Sequence, residues 1–133
     1  QGVRRVILCA GQVYYDLAHA RKARGIEDIA IVRLEQLYPF PTPELKAELA
    51  QYAAAGELMW VQEEPHNQGA WFQIRHRLEE CLQPGQVLRY AGRPASASPD
   101  VGSIAKHGAQ LQAFLDEALG FEPIKTNPDG SES

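Results

Sequence analysis

Apolar residues along this chain follow two alternating rhythms: short, near-continuous runs, then longer stretches with apolar positions three and four apart. The first suits a strand buried on both faces, the second an amphipathic helix. The first run predicts a strand over Arg4–Cys9, a turn at Ala10-Gly11, and a helix over Gln12–Arg24. That helix turns Val13, Leu17 and Ala20 inward, with Tyr14 alongside, and Gly25 follows as its C′ residue. A second strand, Ile29–Leu34, leads through Glu35–Pro41 and its stiff Tyr38-Pro39-Phe40-Pro41 segment to a helix with Leu45, Leu49, Tyr52 and Ala53 on one face. Thr42 is its predicted cap, with Pro43 at the first helical position, where a missing N–H costs nothing, and Gly56 stops it.

The third strand is Glu57–Gln62, and its helix runs from about Ala70 to Leu82 with Trp71, Ile74, Leu78 and Cys81 at helical spacing. Pro84-Gly85 turns the chain into a fourth strand, Val87–Tyr90. The loop Gly92–Gly102 then leads to a helix from about Ser103 to Leu119, with Ile104, Leu111, Phe114, Leu115 and Ala118 facing inward and Gly120 closing it. The tail Glu122–Ser133, with Pro123, Pro128 and Gly130, reads as a loose polar end. Alternating βα units require a parallel sheet with helices on both faces and right-handed crossovers. The expected architecture is one α/β domain over 1–120, followed by a tail over 121–133.

Composition changes this picture little. The 133 residues are 44% hydrophobic and 23% charged, as in an ordinary globular protein. A net charge of −4 argues against nucleic acid as a partner, which would need a basic face to neutralise phosphates. The longest apolar runs, Val6–Ala10 and Ile29–Val32, are far too short to span a bilayer, so no membrane partner is expected. Cys9 and Cys81 both fall at apolar positions and read as buried free thiols of a reducing compartment. The chain opens on Gln1 rather than Met, almost directly on a strand, as a fragment would.

Candidate chemistry concentrates at the carboxyl ends of the predicted strands, where open α/β sheets meet ligands and partners. The loop Gln62-Glu63-Glu64-Pro65-His66-Asn67-Gln68-Gly69-Ala70-Trp71 pairs two carboxylates with a strand-stopping proline and a turn, and Trp60 and Trp71 bracket it. Glu63 and Glu64 have two readings: acceptors for loop and helix N–H groups, or contacts to a ligand or neighbouring domain. A metal site from Glu63, Glu64 and His66 is disfavoured, because near-consecutive loop residues rarely converge on one ion. His19 and His76 lie on the polar sides of helices, and His107 near the edge of an apolar stripe. The second loop of interest, Arg89-Tyr90-Ala91-Gly92-Arg93-Pro94-Ala95-Ser96-Ala97-Ser98-Pro99-Asp100, sets two arginines around small residues ahead of a helix N-terminus. It reads as a rigid interface whose arginines pair with acidic groups, or as an anion site. The sequence has neither GxGxxG nor a Walker-A lysine, and no nucleophile elbow. Acid–base catalysis needs a partner group and a pocket that the sequence does not display.

These two segments, with Val-Ile-Leu-Cys-x-Gly-x-Val-Tyr-Tyr at Val6–Tyr15 and Ile-Val-Arg-Leu-Glu-Gln-Leu-Tyr-Pro-Phe-Pro at Ile31–Pro41, resemble the C-terminal part of the E1 component of 2-oxoglutarate dehydrogenase. The resemblance covers about Val3 to Leu119. It implies a three-layer α/β/α fold of transketolase C-terminal type, with a mainly parallel sheet of four to five strands. An extra antiparallel strand usually precedes the parallel ones, and nothing before Arg4 supplies it, so the expected order is 2-1-3-4. The resemblance also implies an oxidoreductase of the tricarboxylic acid cycle and glycolysis-linked carbon metabolism. It decarboxylates 2-oxoglutarate with thiamine diphosphate and Mg²⁺ and passes the succinyl unit to the lipoyl group of the E2 succinyltransferase. Such an enzyme sits in bacterial cytoplasm or the mitochondrial matrix.

The family's cofactor cradle and catalytic histidines belong to preceding domains, so no catalytic, cofactor-binding or metal residue carries over, His66 included, and the isolated chain is expected to be inactive. What carries over is contact with the preceding E1 domains and the E1 homodimer mate. The residues assigned to such interface or ligand loops are Glu63, Glu64, Asn67, Gln68, Trp71, Arg89, Arg93, Ser96 and Ser98. An acetyl-CoA effector, known for some relatives, attaches loosely to Arg89 and Arg93. The competing reading is a stand-alone α/β module that binds an anionic metabolite such as acetyl-CoA.

Overall fold

Strand β1 (Arg5–Cys9) is central, because its apolar run Val6–Cys9 has no exposed surface on either side. In the computed structural model, which describes residues 2–93 and 104–120 and only the backbone of 104–109, β1 pairs with β2 (Ile29–Arg33) on one side and β3 (Glu57–Pro65) on the other. Strand β4 (Val87–Arg93) pairs with β3 at the far edge. All pairings are parallel, as the βα grammar predicts, and the order is β2-β1-β3-β4, as the family resemblance implies.

Alternation along the strands divides the core in two. Val6, Leu8, Ala30, Leu58 and Trp60 face α2 (Thr42–Leu49) and α3 (Trp71–Glu80), meeting Leu45, Leu49, Trp71, Ile74 and Leu78. Ile7, Cys9, Ile29, Met59, Val61 and Ala91 face α1 (Val13–Ala23) and α4 (Ile104–Leu119), meeting Val13, Leu17, Phe114, Leu115 and Ala118. This is the three-layer α/β/α arrangement. Gly25 ends α1 as predicted. At φ +65° it lets its own N–H reach Lys22 O at 3.1 Å while the Ile26 N–H reaches Arg21 O at 3.1 Å, which is a Schellman closure.

Four expectations need correction. Thr42 does not cap α2. The cap position is Pro41, whose φ of −83° and ψ of 61° form an inverse γ-turn, with the Thr42 N–H bonded to Phe40 O at 2.9 Å. Ala53 is exposed rather than inward, because the chain tightens into a 3₁₀ turn at Ala50–Tyr52 and loses the 3.6-residue period; Ala55 is buried in its place. Strand β3 does not stop at Gln62, and β4 does not stop at Tyr90; they run on to Pro65 and Arg93. The edge strands are less apolar-sided than expected, with Val87 53% exposed. Ser96, Ser98, the tail and the side chains of Ile104 and His107 lie outside the described residues.

Cys9 and Cys81 are buried free thiols. Burial pushes the Cys9 thiol up from 9.0 to about 12 in spite of the nearby Arg33. An unfolded chain would ionise this thiol earlier, so its contribution to stability is intact below pH 9 and is lost as pH rises towards 12. Urea unfolding at rising alkaline pH should show this group costing up to about 1.4 kcal/mol per pH unit. Cys9→Ala should flatten that slope, and an unchanged slope would contradict it.

Candidate functional site

The carboxyl end of the β3–β4 pair is built around an irregularity. Gln62 pairs with Gly92 and Pro65 with Arg93, so Glu63 and Glu64 are extra residues set against a single step of β4. Such a bulge breaks the ladder and re-aims the side chains on it. Pro65 suits the far side, where it has no N–H to place, and the ladder resumes as the His66 N–H reaches Arg93 O at 3.0 Å.

Two buried polar side chains hold the bulge. Gln62, 2% exposed, accepts the Trp60 indole N–H at 2.9 Å and the Trp71 backbone N–H at 3.2 Å on its Oε1. Its Nε2 donates to the carbonyls of Glu64, Pro65 and Gln68 at 3.2, 2.9 and 2.6 Å. Oxygen facing donors and nitrogen facing acceptors fixes the amide orientation. The same side chain explains Gly69, where an added Cβ would lie 3.0 Å from Gln62 Oε1 at φ +72°. Gly92 is required by close approach instead: a Cβ there would sit 2.8 Å from the Gln62 carbonyl and 2.5 Å from the Tyr90 hydroxyl.

Arg93, 5% exposed, is the second. Its Nε donates to Glu63 O at 2.9 Å, supplying a bulge carbonyl with a partner, and its Nη1 donates to Gln110 Oε1 at 3.2 Å on α4. The Glu63 carboxylate lies 3.7 Å from Nη2, and the Phe114 ring centroid 5.6 Å from the guanidinium carbon. Arg93 therefore ties β3, β4 and α4 together.

The sequence-derived site residues separate into groups. Glu63 and Arg93 come together in the bulge. Gln68 and Trp71 attach to it through Gln62 by their backbones, while Trp71, 6% exposed, spends its ring in the core. Glu64, Asn67 and Gln68 are exposed on the same edge. Arg89 is elsewhere: it lies on β4 rather than in a loop and pairs with Glu57 Oε1 at 2.5 Å. Glu57 also binds Arg5 at 2.9 Å, and Arg5 donates to the carbonyls of Glu117 and Ala118 at 3.0 and 2.6 Å, capping the C-terminus of α4. Arg5, Arg89 and Glu117 line a groove of about 320 Å³ together with Met59, Leu88 and Tyr90. Arg89 and Arg93 thus both pair with acidic groups of this chain.

The sequence reading missed Gln62 as the organising residue; a polar side chain at the end of an apolar run, between two tryptophans, was the available signal. It also missed an aromatic cluster. His66 lies 4.4 Å from the ring of Tyr90, 5.0 Å from Phe72 and 6.4 Å from Trp71, measured between centroids. Burial pushes the Tyr90 hydroxyl up to about 12, which makes it a hydrogen-bond donor, to Arg93 O at 3.3 Å, rather than an acid. Phe72 and Tyr38 are 57% and 62% exposed, and the Tyr38 hydroxyl donates to Gln73 Oε1 beside Phe72.

Among the described residues, no three His, Cys, Asp or Glu side chains group as a metal site. Among the described residues, Glu63 turns to Arg93 and His66 stacks on aromatic rings, so this donor set does not fit Mg²⁺ or a cofactor diphosphate. No described helix is long and apolar enough to cross a membrane. Among the described residues, the arrangement is an edge braced by Gln62 and Arg93.

The chain matches a family model described as 2-oxoglutarate dehydrogenase C-terminal over residues 1–119. It is similar to the 2-oxoglutarate dehydrogenase E1 component of Cupriavidus necator, 56% identical over 117 residues, 88% of this chain and 12% of that protein. The E1 component of Haemophilus influenzae is 48% identical over 119 residues, 90% of this chain and 13% of that protein. That of Brucella anthropi is 53% identical over 122 residues, 89% and 12% of the respective chains. The chain therefore spans about an eighth of the length of the curated relatives it matches. On the family match and these identities together, the chain belongs to the 2-oxoglutarate dehydrogenase C-terminal family.

Proposed function

We propose that this chain serves as the C-terminal domain of an E1 subunit, supporting thiamine-diphosphate- and Mg²⁺-dependent oxidative decarboxylation of 2-oxoglutarate and succinyl transfer to the lipoyl group of E2. The observation that carries the reading is the match to E1 components over most of this chain and only about an eighth of theirs, joined to an edge where Arg93 already pairs with Glu63. In this reading the domain contributes no group to the chemistry. Its partners are the other E1 domains, the homodimer mate and, through them, E2, in bacterial cytoplasm or the mitochondrial matrix.

An acetyl-CoA effector belongs to this proposal only at Arg89, whose side chain is 59% exposed; Arg93 is turned inward. The stand-alone metabolite sensor is not favoured, because the chain matches the C-terminal family and E1 components over most of its length. The expected result with the isolated chain, thiamine diphosphate, Mg²⁺ and 2-oxoglutarate is no release of CO₂ above background. Turnover under those conditions would overturn the assignment of catalysis to other domains.

A further inference from the structure

Among the described residues, the large hydrophobic side chains left most exposed are Tyr15, Tyr38, Phe72 and Val87, at 54%, 62%, 57% and 53%. Both sheet faces are already covered by the chain's own helices, so these residues mark what the fold leaves uncovered. Val87 opens β4 at the amino edge. The three aromatics all belong to the opposite, carboxyl edge: Tyr15 in the first turn of α1 after β1, Tyr38 in the segment after β2, and Phe72 in the first turn of α3 after β3.

They are also held in place. The Arg33 guanidinium at the end of β2 lies over the Tyr15 ring, 5.2 Å from its centroid, and donates to its hydroxyl at 3.4 Å. Tyr38 is fixed to Gln73, and Phe72 leans on His66. Aromatic and arginine side chains that are rigid before binding lose little entropy on contact, and they dominate association energetics.

We propose that this carboxyl-edge surface, centred on Tyr38 and Phe72 and flanked by Tyr15 and Arg33, is where the domain docks on the body of its E1 polypeptide. The inference rests on the functional reading above. The occupant is chosen because about seven-eighths of each relative lies outside the matched region, which makes that body the largest surface held next to the domain. A second copy of the domain or E2 would be a separate outcome.

The test uses a full-length E1 of the Cupriavidus relative whose C-terminal region is replaced by this chain, alongside the chain alone. Hydrogen exchange over residues 34–41 and 66–76 should be at least about ten-fold slower in the full-length protein. The Tyr38→Ser/Phe72→Ser pair should abolish that difference while leaving the unfolding midpoint of the chain alone unchanged. Equal exchange in both contexts, in a chimera that still decarboxylates 2-oxoglutarate, would overturn the docking surface and leave the functional reading standing. Protection that appears only on adding E2, or on raising the concentration of the chain alone, would overturn the choice of occupant. A folded chimera without turnover, beside an active parent, would overturn the functional reading itself.

Discussion

Gln62→Leu is expected to lower the unfolding free energy of the domain by about 3–5 kcal/mol. Leucine fills most of the volume, so the loss comes from what it leaves behind. The Trp60 indole N–H and the Trp71 backbone N–H lose their acceptor in a buried setting, and three carbonyls of the bulge and turn lose a donor. A buried donor without a partner costs about 1–3 kcal/mol, and only the carbonyls near the exposed turn have water to replace Gln62. Gln62→Glu separates this cause from simple packing. A carboxylate would place a second acceptor against those carbonyls, so the folded state would hold the acid protonated and raise its ionisation point above the usual carboxylate range. Its stability should be greatest in acid and fall as pH rises, the reverse of a salt-bridged carboxylate. Urea unfolding of both variants at acidic and neutral pH measures this, and a loss below about 1 kcal/mol for Gln62→Leu would remove Gln62 from its place in the account.

The second large effect is expected at Arg93. Arg93→Met keeps the apolar stem against Phe114 but strips the guanidinium from the Glu63 carbonyl and from Gln110. The expected loss is about 2–4 kcal/mol, moderated because the Glu63 carboxylate is 41% exposed and can return to water. Arg93→Lys should recover less than half of it, since a single ammonium cannot serve the bulge carbonyl and the α4 amide in the guanidinium's forked geometry. Arg89→Met is the control. With its side chain 59% exposed, Arg89 should contribute within about 0.5 kcal/mol. Denaturation midpoints rank the three, and hydrogen exchange should place the Arg93 loss in α4 and the end of β3.

The contrast between these arginines shows where a linear reading ends. The βα rhythm predicts a parallel sheet and both core faces, because apolar period and strand burial have the same physical origin, whereas the strand order came from the family resemblance. It also places the turn at Gly25, where chain chirality demands a residue without Cβ. Arg89 and Arg93, four positions apart on one strand, are equivalent in the sequence. The structure sends one to Glu57 near the amino edge and the other into a bulge at the carboxyl edge. That bulge is invisible in the sequence because Pro65 reads as a stop. Only when Gly92 allows Gln62 and Tyr90 to close in does β3 run past it. The exposure of Phe72 and burial of Trp71 follow from adjacent positions on one helix, a phase the spacing does give.

As proposed above, this domain supports chemistry performed elsewhere in a longer E1 chain, and exchanging the domain puts that proposal to the test. Release of CO₂ from 2-oxoglutarate, with thiamine diphosphate and Mg²⁺ present, would be compared among the intact Cupriavidus relative, the same enzyme cut before its C-terminal region, and the enzyme carrying this chain in that region's place. The exchange should retain turnover to within about ten-fold, or 1.4 kcal/mol of barrier, and the cut enzyme should lose it. Full turnover by the cut enzyme would contradict the account.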